Sequence, residues 1–234
     1  MSSTKRKPLP PWIKKQIAFD ASFRKTRGVI EEHGVQTICT NARCPNRGEC
    51  WTRGTATVLI LGNICTRSCP FCAVSHGKPE PPDPLEPEHV ARMAVQMNIL
   101  YLVITSVDRD DLPDGGATQF TKVITACRDA NPGMRFEILV PDFKNSQQQS
   151  LEILESAHPF VFSHNIETVP SLYRKARPGG DYQRSLDILL KASERWPETP
   201  IKSSIMLGLG ETDAEVIQVL KDLRNSGCTR AAIG

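Results

Sequence analysis

The chain has 234 residues, a formal net charge of +3, 39% hydrophobic residues and 24% charged residues, an ordinary globular balance with enough chain to bury a core without cross-links. So mild a charge calls for no polyanionic partner, no apolar run approaches the length of a membrane span, and the basic N-terminus MSSTKRKPLPPWIKK lacks the apolar stretch of a secretory signal. These features predict a cytoplasmic protein, a setting in which structural disulfides are rare, so its eight cysteines need another role.

Residues 1 to about 50 read as irregular, with Lys5, Arg6, Lys7, Lys14 and Lys15 as a solvated tail. Within and after this stretch come two cysteine triplets. Cys39, Cys44 and Cys50 are spaced C-x4-C-x5-C, and Cys65, Cys69 and Cys72 are spaced C-x3-C-x2-C. Between them, residues 55–61 (TATVLIL) predict a buried strand. A proline-rich connection at 79–87 precedes a helix over 86–96, a strand over 100–105 (LYLVIT) and a helix over 117–130 closed by Asn131-Pro132-Gly133. Then come a strand at 135–140, a helix at 147–157, a strand at 160–163, a helix at 182–195, a strand at 201–207, a helix at 213–225 and a sixth strand at 230–233.

Strand alternating with helix, with nearly continuous apolar strands, predicts an α/β fold with a parallel sheet buried on both faces and closing into a partial barrel. In such folds the chemistry sits in loops at the C-terminal ends of the strands. The second cysteine triplet follows the first strand. Asp108 to Asp111, Asn165 with Glu167, and Gly208 to Glu211 follow later strands, so four clusters are expected on one rim. Cys127 and Cys228 stand in apolar segments and are expected to be small buried hydrophobes. His164 lies nearest the rim, where a loop hydrogen bond is the expected role.

A closed structural metal site takes four protein ligands, and a ferredoxin-type cluster takes four thiolates. Three thiolates leave one position open, the arrangement of a catalytic metal. A zinc loop is the competing reading, although zinc loops commonly use paired C-x2-C knuckles. The C-x3-C-x2-C triplet, with Phe71 just before the last cysteine, resembles the radical S-adenosylmethionine (SAM) superfamily. That resemblance implies a partial (β/α)6 barrel in which Cys65, Cys69 and Cys72 hold a 4Fe-4S cluster whose open iron binds SAM. It further implies one-electron cleavage of SAM to a 5′-deoxyadenosyl radical. On this resemblance Asp108 is expected at the methionine amino group, Asn165 and Glu167 at the ribose hydroxyls, Arg177 at the carboxylate, and Gly208 and Gly210 beside the adenine. For each of these the competing reading is a solvated loop or helix cap, for Asp110 and Asp111 above all.

The first triplet narrows the resemblance. CTNARCPNRGECW, ATVLILGNICTRSCPFCAV, ITSVDRDDLPDGGA, FSHNIETVPSLYRKARPGGDY and SSIMLGLGET are similar to the lipoyl synthase family, from about Lys7 to Gly234. The resemblance implies an extension over residues 1–53 whose Cys39, Cys44 and Cys50 carry an auxiliary 4Fe-4S cluster, followed by a radical SAM barrel over 54–234. It implies sulfur insertion at carbons six and eight of an octanoyl group on lipoyl domains of 2-oxoacid dehydrogenases or on the glycine-cleavage H protein. It also implies an electron donor such as flavodoxin or ferredoxin, an iron–sulfur carrier, and no nucleic acid or membrane partner. The family continues past this sequence with a further helix and an Arg-Ser-Ser-Tyr motif whose serine completes the auxiliary cluster; neither is present, so the sequence reads as a C-terminally truncated member. Two other readings stay open: another sulfur-inserting radical SAM enzyme, such as a tRNA methylthiotransferase, and a zinc-stabilised interaction module.

Overall fold

The computed structural model describes residues 20–234. The basic N-terminal tail and the KPLPPWIKK stretch lie outside the described residues. Six parallel strands form one sheet in strictly sequential order: β1 (Thr57–Ile60), β4 (Tyr101–Ser106), β5 (Arg135–Leu139), β6 (Val161–Ser163), β7 (Ile201–Ile205) and β8 (Arg230–Ile233). Two short strands, β2 (Ile64–Cys65) and β3 (Ser75–His76), pair with each other outside this sheet. Helices α4 (Glu86–Gln96), α5 (Ala117–Ala130), α6 (Gln147–Leu154), α8 (Tyr182–Arg195) and α9 (Asp213–Asn225) fill the crossovers. Sequential parallel order with a helix in each crossover is the open, barrel-like arrangement that the strand–helix alternation predicts.

One face of the sheet packs on the helices. Leu102, Ile104, Phe136, Ile138 and Phe162 are fully or almost fully buried with Phe120, Val123 and Ile124 of α5 in a single core. Burying each such side chain stabilises the fold by about 1.5–3 kcal/mol. The other face is more polar than expected. Glu137 accepts hydrogen bonds from the Tyr101 hydroxyl at 2.7 Å and from Lys202 Nζ at 2.6 Å, with Ser163 beside it at 3.4 Å. One polar residue in a short strand barely interrupts the apolar text, which hides this second face from the sequence.

The N-terminal part differs from the irregular reading. Helix α1 (Ala21–Glu32) starts at Asp20, whose Oδ1 accepts from the Phe23 N–H at 2.8 Å. It is followed by two short helices, α2 (Ile38–Asn41) and α3 (Arg47–Thr52). Phe23, Thr26, Val29 and Ile30 recur at helical spacing and form the buried stripe of α1. Phe23 packs on Trp51 with ring centroids 5.3 Å apart. Residues 35–37 cover the edge of the sheet: Leu59 N–H donates to Gln36 O at 2.9 Å, and Thr37 bridges Val58 in antiparallel sense. The seven-residue helix α7 (Pro170–Ala176) is too short to show a period in the sequence and is begun by Pro170 in its first turn.

Candidate functional site

The loop that carries the second triplet leaves β1 through a sharp bend in which Leu61 has φ 68° and Gly62 has φ 85°. Its base is clasped by the β2–β3 pair and by the Gly77 N–H donating to Cys65 O at 2.9 Å. Inside it, Cys72 N–H donates to Cys69 O at 3.0 Å, a tight turn that brings the last two thiols together. Burial raises the Cys65 thiol pKa, the nearby Asp108 carboxylate adds to it, and Cys72 is near enough to contribute. Burial pushes the Cys69 thiol up to about 11, with Asp108, Cys65 and Cys72 adding and Arg177 opposing. The three thiols therefore share one electrostatic neighbourhood.

The loop after β4 meets them. Thr66 N–H and Oγ1 both donate to Asp108 O, at 3.0 and 2.9 Å, and the Asp110 N–H donates back to Thr66 Oγ1 at 3.1 Å. Cys65 Sγ lies 3.8 Å from Asp108 Oδ2. Between the cysteines, the buried Arg67 reaches three carboxylates. Its Nε and Nη2 donate to Asp110 at 2.9 and 2.7 Å, and its Nη1 and Nη2 donate to Asp142 at 3.1 and 2.6 Å. Asp108 Oδ1 stands 3.2 Å from Nη1 but out of line for a hydrogen bond, and it is a buried oxygen with no hydrogen-bond partner. Burial raises the Asp142 carboxyl, but Arg67's hydrogen bonds and charge outweigh it and hold the group well below the ordinary carboxylate range. Asp108 goes the other way: burial outweighs Arg67 and Arg177 and lifts its carboxyl. Neither Arg67 nor Asp142 was singled out in the sequence. An arginine between two cysteines carries no spacing signal, and its three acceptors are scattered along the chain.

Asn165 and Glu167 follow β6 and are half-buried. Glu167 has φ 68°, a left-handed backbone worth about 1–2 kcal/mol of strain in a non-glycine residue. The bend is held from both sides, by Glu167 N–H to Ser204 O at 3.0 Å and Met206 N–H to Glu167 O at 2.9 Å. Burial raises the Glu167 carboxyl, against the pull of Arg177 and a hydrogen bond from Asn165. Arg177 caps α7 and is buried; its side chain hydrogen-bonds through Nη1, to Asn165 O at 2.8 Å, Tyr173 Oη at 2.9 Å, Ser185 Oγ at 3.2 Å and His164 Nε2 at 3.2 Å. Its charge reaches Cys69, Asp108 and Glu167, so this rim gathers the loops after β1, β4 and β6 around one basic and two acidic groups. His164 has the expected loop role, Nδ1 on Val140 O at 2.8 Å and Nε2 on Ser185 Oγ at 3.0 Å.

The remaining predicted residues are placed as follows. Gly208 and Gly210 have φ 94° and 117°, and open space surrounds both. The Gly208 and Leu209 N–H groups donate to the Glu211 carboxylate, so this loop offers room more than free donors. Asp111 is neither a cap nor free: it binds Arg109 through Nη2 at 2.8 Å, and Arg109 Nη1 donates to Leu61 O at 3.3 Å. Cys39 is buried on α2, Cys44 lies in the following loop and Cys50 sits on α3. Burial raises the Cys50 thiol, and Cys39 and Cys44 lie near enough to add to it. Cys127 and Cys228 are buried, and burial pushes the Cys127 thiol up to about 12, the state of an inert core thiol.

Cys65, Cys69 and Cys72, three free thiols on one loop, are the donor set that an iron–sulfur cluster with one open iron would take. Among the described residues no group of three or more His, Cys, Asp or Glu side chains is placed to hold a metal ion. A mononuclear zinc would need its thiolates at about 2.3 Å, whereas a cluster takes each thiolate on a different iron. All eight cysteines are free thiols. Asp108 Oδ2 lies beside Cys65, while its buried Oδ1, facing Arg67, makes no hydrogen bond within the chain.

Comparison with known proteins bears on the same residues. The family model of the radical SAM superfamily matches residues 59–223. The chain is 52% identical over 225 residues to a lipoyl synthase of Methylobacillus flagellatus, covering 96% of this chain and 69% of that one. It is 49% identical over 232 residues to a lipoyl synthase of Nitrosococcus oceani, covering 99% and 72%. Among solved structures, methylornithine synthase (PylB) superposes with TM-score 0.58 at 11% identity, covering 92% of this chain and 64% of that one. Streptococcus suis SuiB bound to S-adenosylmethionine superposes with TM-score 0.54 at 12% identity, covering 90% and 42%. At such identities the two structures speak for the fold alone.

Proposed function

The chain belongs to the lipoyl synthase family of the radical SAM superfamily, and from that premise we propose that it inserts two sulfur atoms, at carbons six and eight, into an octanoyl group carried on a protein lysine. The observation that carries the reading is the presence of two cysteine triplets, C-x4-C-x5-C and C-x3-C-x2-C, the second on a rim with Asp108, Glu167 and Arg177. Cys65, Cys69 and Cys72 would hold a 4Fe-4S cluster with one open iron. Bound there with SAM, the cluster supplies a one-electron cleavage whose product radical can take hydrogen from unactivated alkyl carbon. Such carbon offers a base no acidity, which agrees with a rim whose histidine is locked in structural hydrogen bonds.

The chain's own residues bind and orient. Asp108, whose Oδ2 lies beside Cys65, would accept from the ammonium group. Arg177 spends Nη1 on the fold and would turn its remaining edge to a carboxylate. Glu167 and Asn165 would accept the ribose hydroxyls. Cys39, Cys44 and Cys50 would hold a second 4Fe-4S cluster, which is a substrate of the reaction and gives up its sulfides. The acceptors would be octanoylated lipoyl domains of 2-oxoacid dehydrogenases and the glycine-cleavage H protein, with flavodoxin or ferredoxin supplying electrons and an iron–sulfur carrier rebuilding the donor. No described helix is long and apolar enough to cross a membrane, which accords with a proposed cytoplasmic location.

The test is anaerobic reconstitution with iron and sulfide, followed by reaction of an octanoyl-lysyl peptide with SAM and dithionite. Mass spectrometry should show replacement of two C–H bonds by C–SH. Retention of the unmodified octanoyl peptide, in a preparation holding two clusters and producing 5′-deoxyadenosine, would overturn the sulfur-insertion reading.

A further inference from the structure

We propose that Arg67 is a positioning residue that fixes the cysteine loop on the barrel rim before any metal arrives, an inference that deepens the cluster assignment of Cys65, Cys69 and Cys72 and rests on it. The loop needs such an anchor. It is eleven residues from Cys65 to Ser75, and besides its β2–β3 base its links to the rim run through Thr66 and Arg67. Arg67 lies midway between the first two cysteines, and its own N–H approaches Cys65 Sγ at 3.4 Å. Its guanidinium spans the loop after β4, through Asp108 and Asp110, and the loop after β5, through Asp142. Asp142 is itself fully buried and held a second time by Arg184 Nε at 3.0 Å. Gly179 completes the seat: with φ 82° it brings backbone so close that a Cβ there would meet Arg67 Cδ at 3.4 Å.

The chemistry of the arrangement points the same way. Only a planar fork can bind two carboxylates in bidentate fashion while facing a third, so a lysine would satisfy a fraction of it. A buried arginine with partners on two strand ends has two consequences for the loop. It fixes where Cys65 and Cys69 emerge, and it pays the ordering entropy of the loop at folding rather than at metal binding. The side chain's polar contacts are all with carboxylates of neighbouring loops, so it acts through the loop it holds.

Two readouts separate this from a general stabilising role. In the metal-free chain, hydrogen exchange at the Thr66 and Arg67 amides reports the loop directly. In the reconstituted protein, the rate of iron loss to a chelator and the change in the reduced cluster's electron paramagnetic resonance spectrum on adding SAM report its consequence. Arg67→Gln is expected to speed exchange of those amides and iron loss at least tenfold and to abolish the SAM-induced spectral change. Asp110→Asn, which leaves Asp108 and Asp142 in place, and Arg67→Lys, should both fall between Arg67→Gln and the unaltered chain; they carry the test if Arg67→Gln does not fold. Ile124→Ala, a core truncation of α5 remote from the loop, should lower overall stability while leaving loop exchange relative to global unfolding, and iron loss, within twofold of the unaltered chain. Equal iron loss in Arg67→Gln and Ile124→Ala, or unchanged loop exchange in all three loop variants, would overturn the proposal. Failure of the unaltered chain to take up iron would overturn the cluster assignment instead, while the exchange experiment would still decide whether Arg67 holds the loop.

Discussion

His164 makes the stability of the metal-free chain depend on mild acid, and the dependence can be worked from its surroundings. Its Nδ1 faces Val140 O at 2.8 Å, so that nitrogen carries the proton and Nε2 accepts. A proton on Nε2 would put charge on a nitrogen only 3.2 Å from Arg177 Nη1 in a fully buried site. Burial first, then Arg177, lowers the imidazole from 6.5 to about 3. The unfolded chain therefore binds this proton near pH 6.5 while the folded chain refuses it. Stability attributable to His164 is present above that pH and is lost as pH falls toward 3. At about pH 5 the loss is roughly 1.5 units, or about 2 kcal/mol. Buried Asp108 and Glu167, whose carboxyls burial raises, favour the protonated form on folding and so act with the opposite sign. The assay is therefore a difference: urea unfolding of the chain and of His164→Asn at about pH 7.5 and pH 5, where the asparagine keeps a donor for Val140 O. The gap between the two proteins should narrow by about 2 kcal/mol at the lower pH. A gap that does not change with pH would refute a neutral, proton-refusing His164.

Further outcomes follow from other parts of the molecule. Cys69→Ala should abolish 5′-deoxyadenosine formation under reductant, whereas Cys44→Ala should keep SAM cleavage and insert no sulfur; product analysis of both variants checks the assignment, which equal loss of cleavage would contradict. Gly116→Ala should destabilise the fold by about 2–4 kcal/mol, because φ is 95° and a Cβ would stand 2.2 Å from Leu61 Cδ1; urea unfolding within 1 kcal/mol of the parent would contradict the close approach. Glu167→Gly should leave unfolding stability within about 1 kcal/mol by relieving the left-handed strain, yet weaken SAM binding at least tenfold in equilibrium dialysis of the reconstituted protein.

The sheet and its long helices were legible because each writes one period over enough residues. Helices over 86–96, 117–130, 182–195 and 213–225 begin and end where the sequence places them. Helix α1 also carries a period, in Phe23, Thr26, Val29 and Ile30, but its buried threonine, whose Oγ1 donates to Trp51 O at 2.7 Å, breaks the apolar stripe. Helices α2 and α3 span four and six residues, too short for any period. Of the site, the cysteine triplets were legible from spacing, and Asp108, Asn165 and Glu167 from their place after strands. Arg67 and Asp142 were not, because their ion pair spans 75 positions and exists only once β1 and β5 lie in one sheet. For the same reason Asp110 reads as a solvated residue, its arginine lying 43 positions away, whereas Asp111, also expected to be solvated, binds its near neighbour Arg109.

The central claim is a 4Fe-4S cluster held by Cys65, Cys69 and Cys72 with one iron open to SAM. Its most direct test is electron paramagnetic resonance of the dithionite-reduced Cys39→Ala/Cys44→Ala/Cys50→Ala protein, which isolates that cluster, recorded with and without SAM. The account predicts a reduced 4Fe-4S signal whose shape changes when SAM is added. A signal indifferent to SAM, or a colourless protein holding zinc, would contradict it.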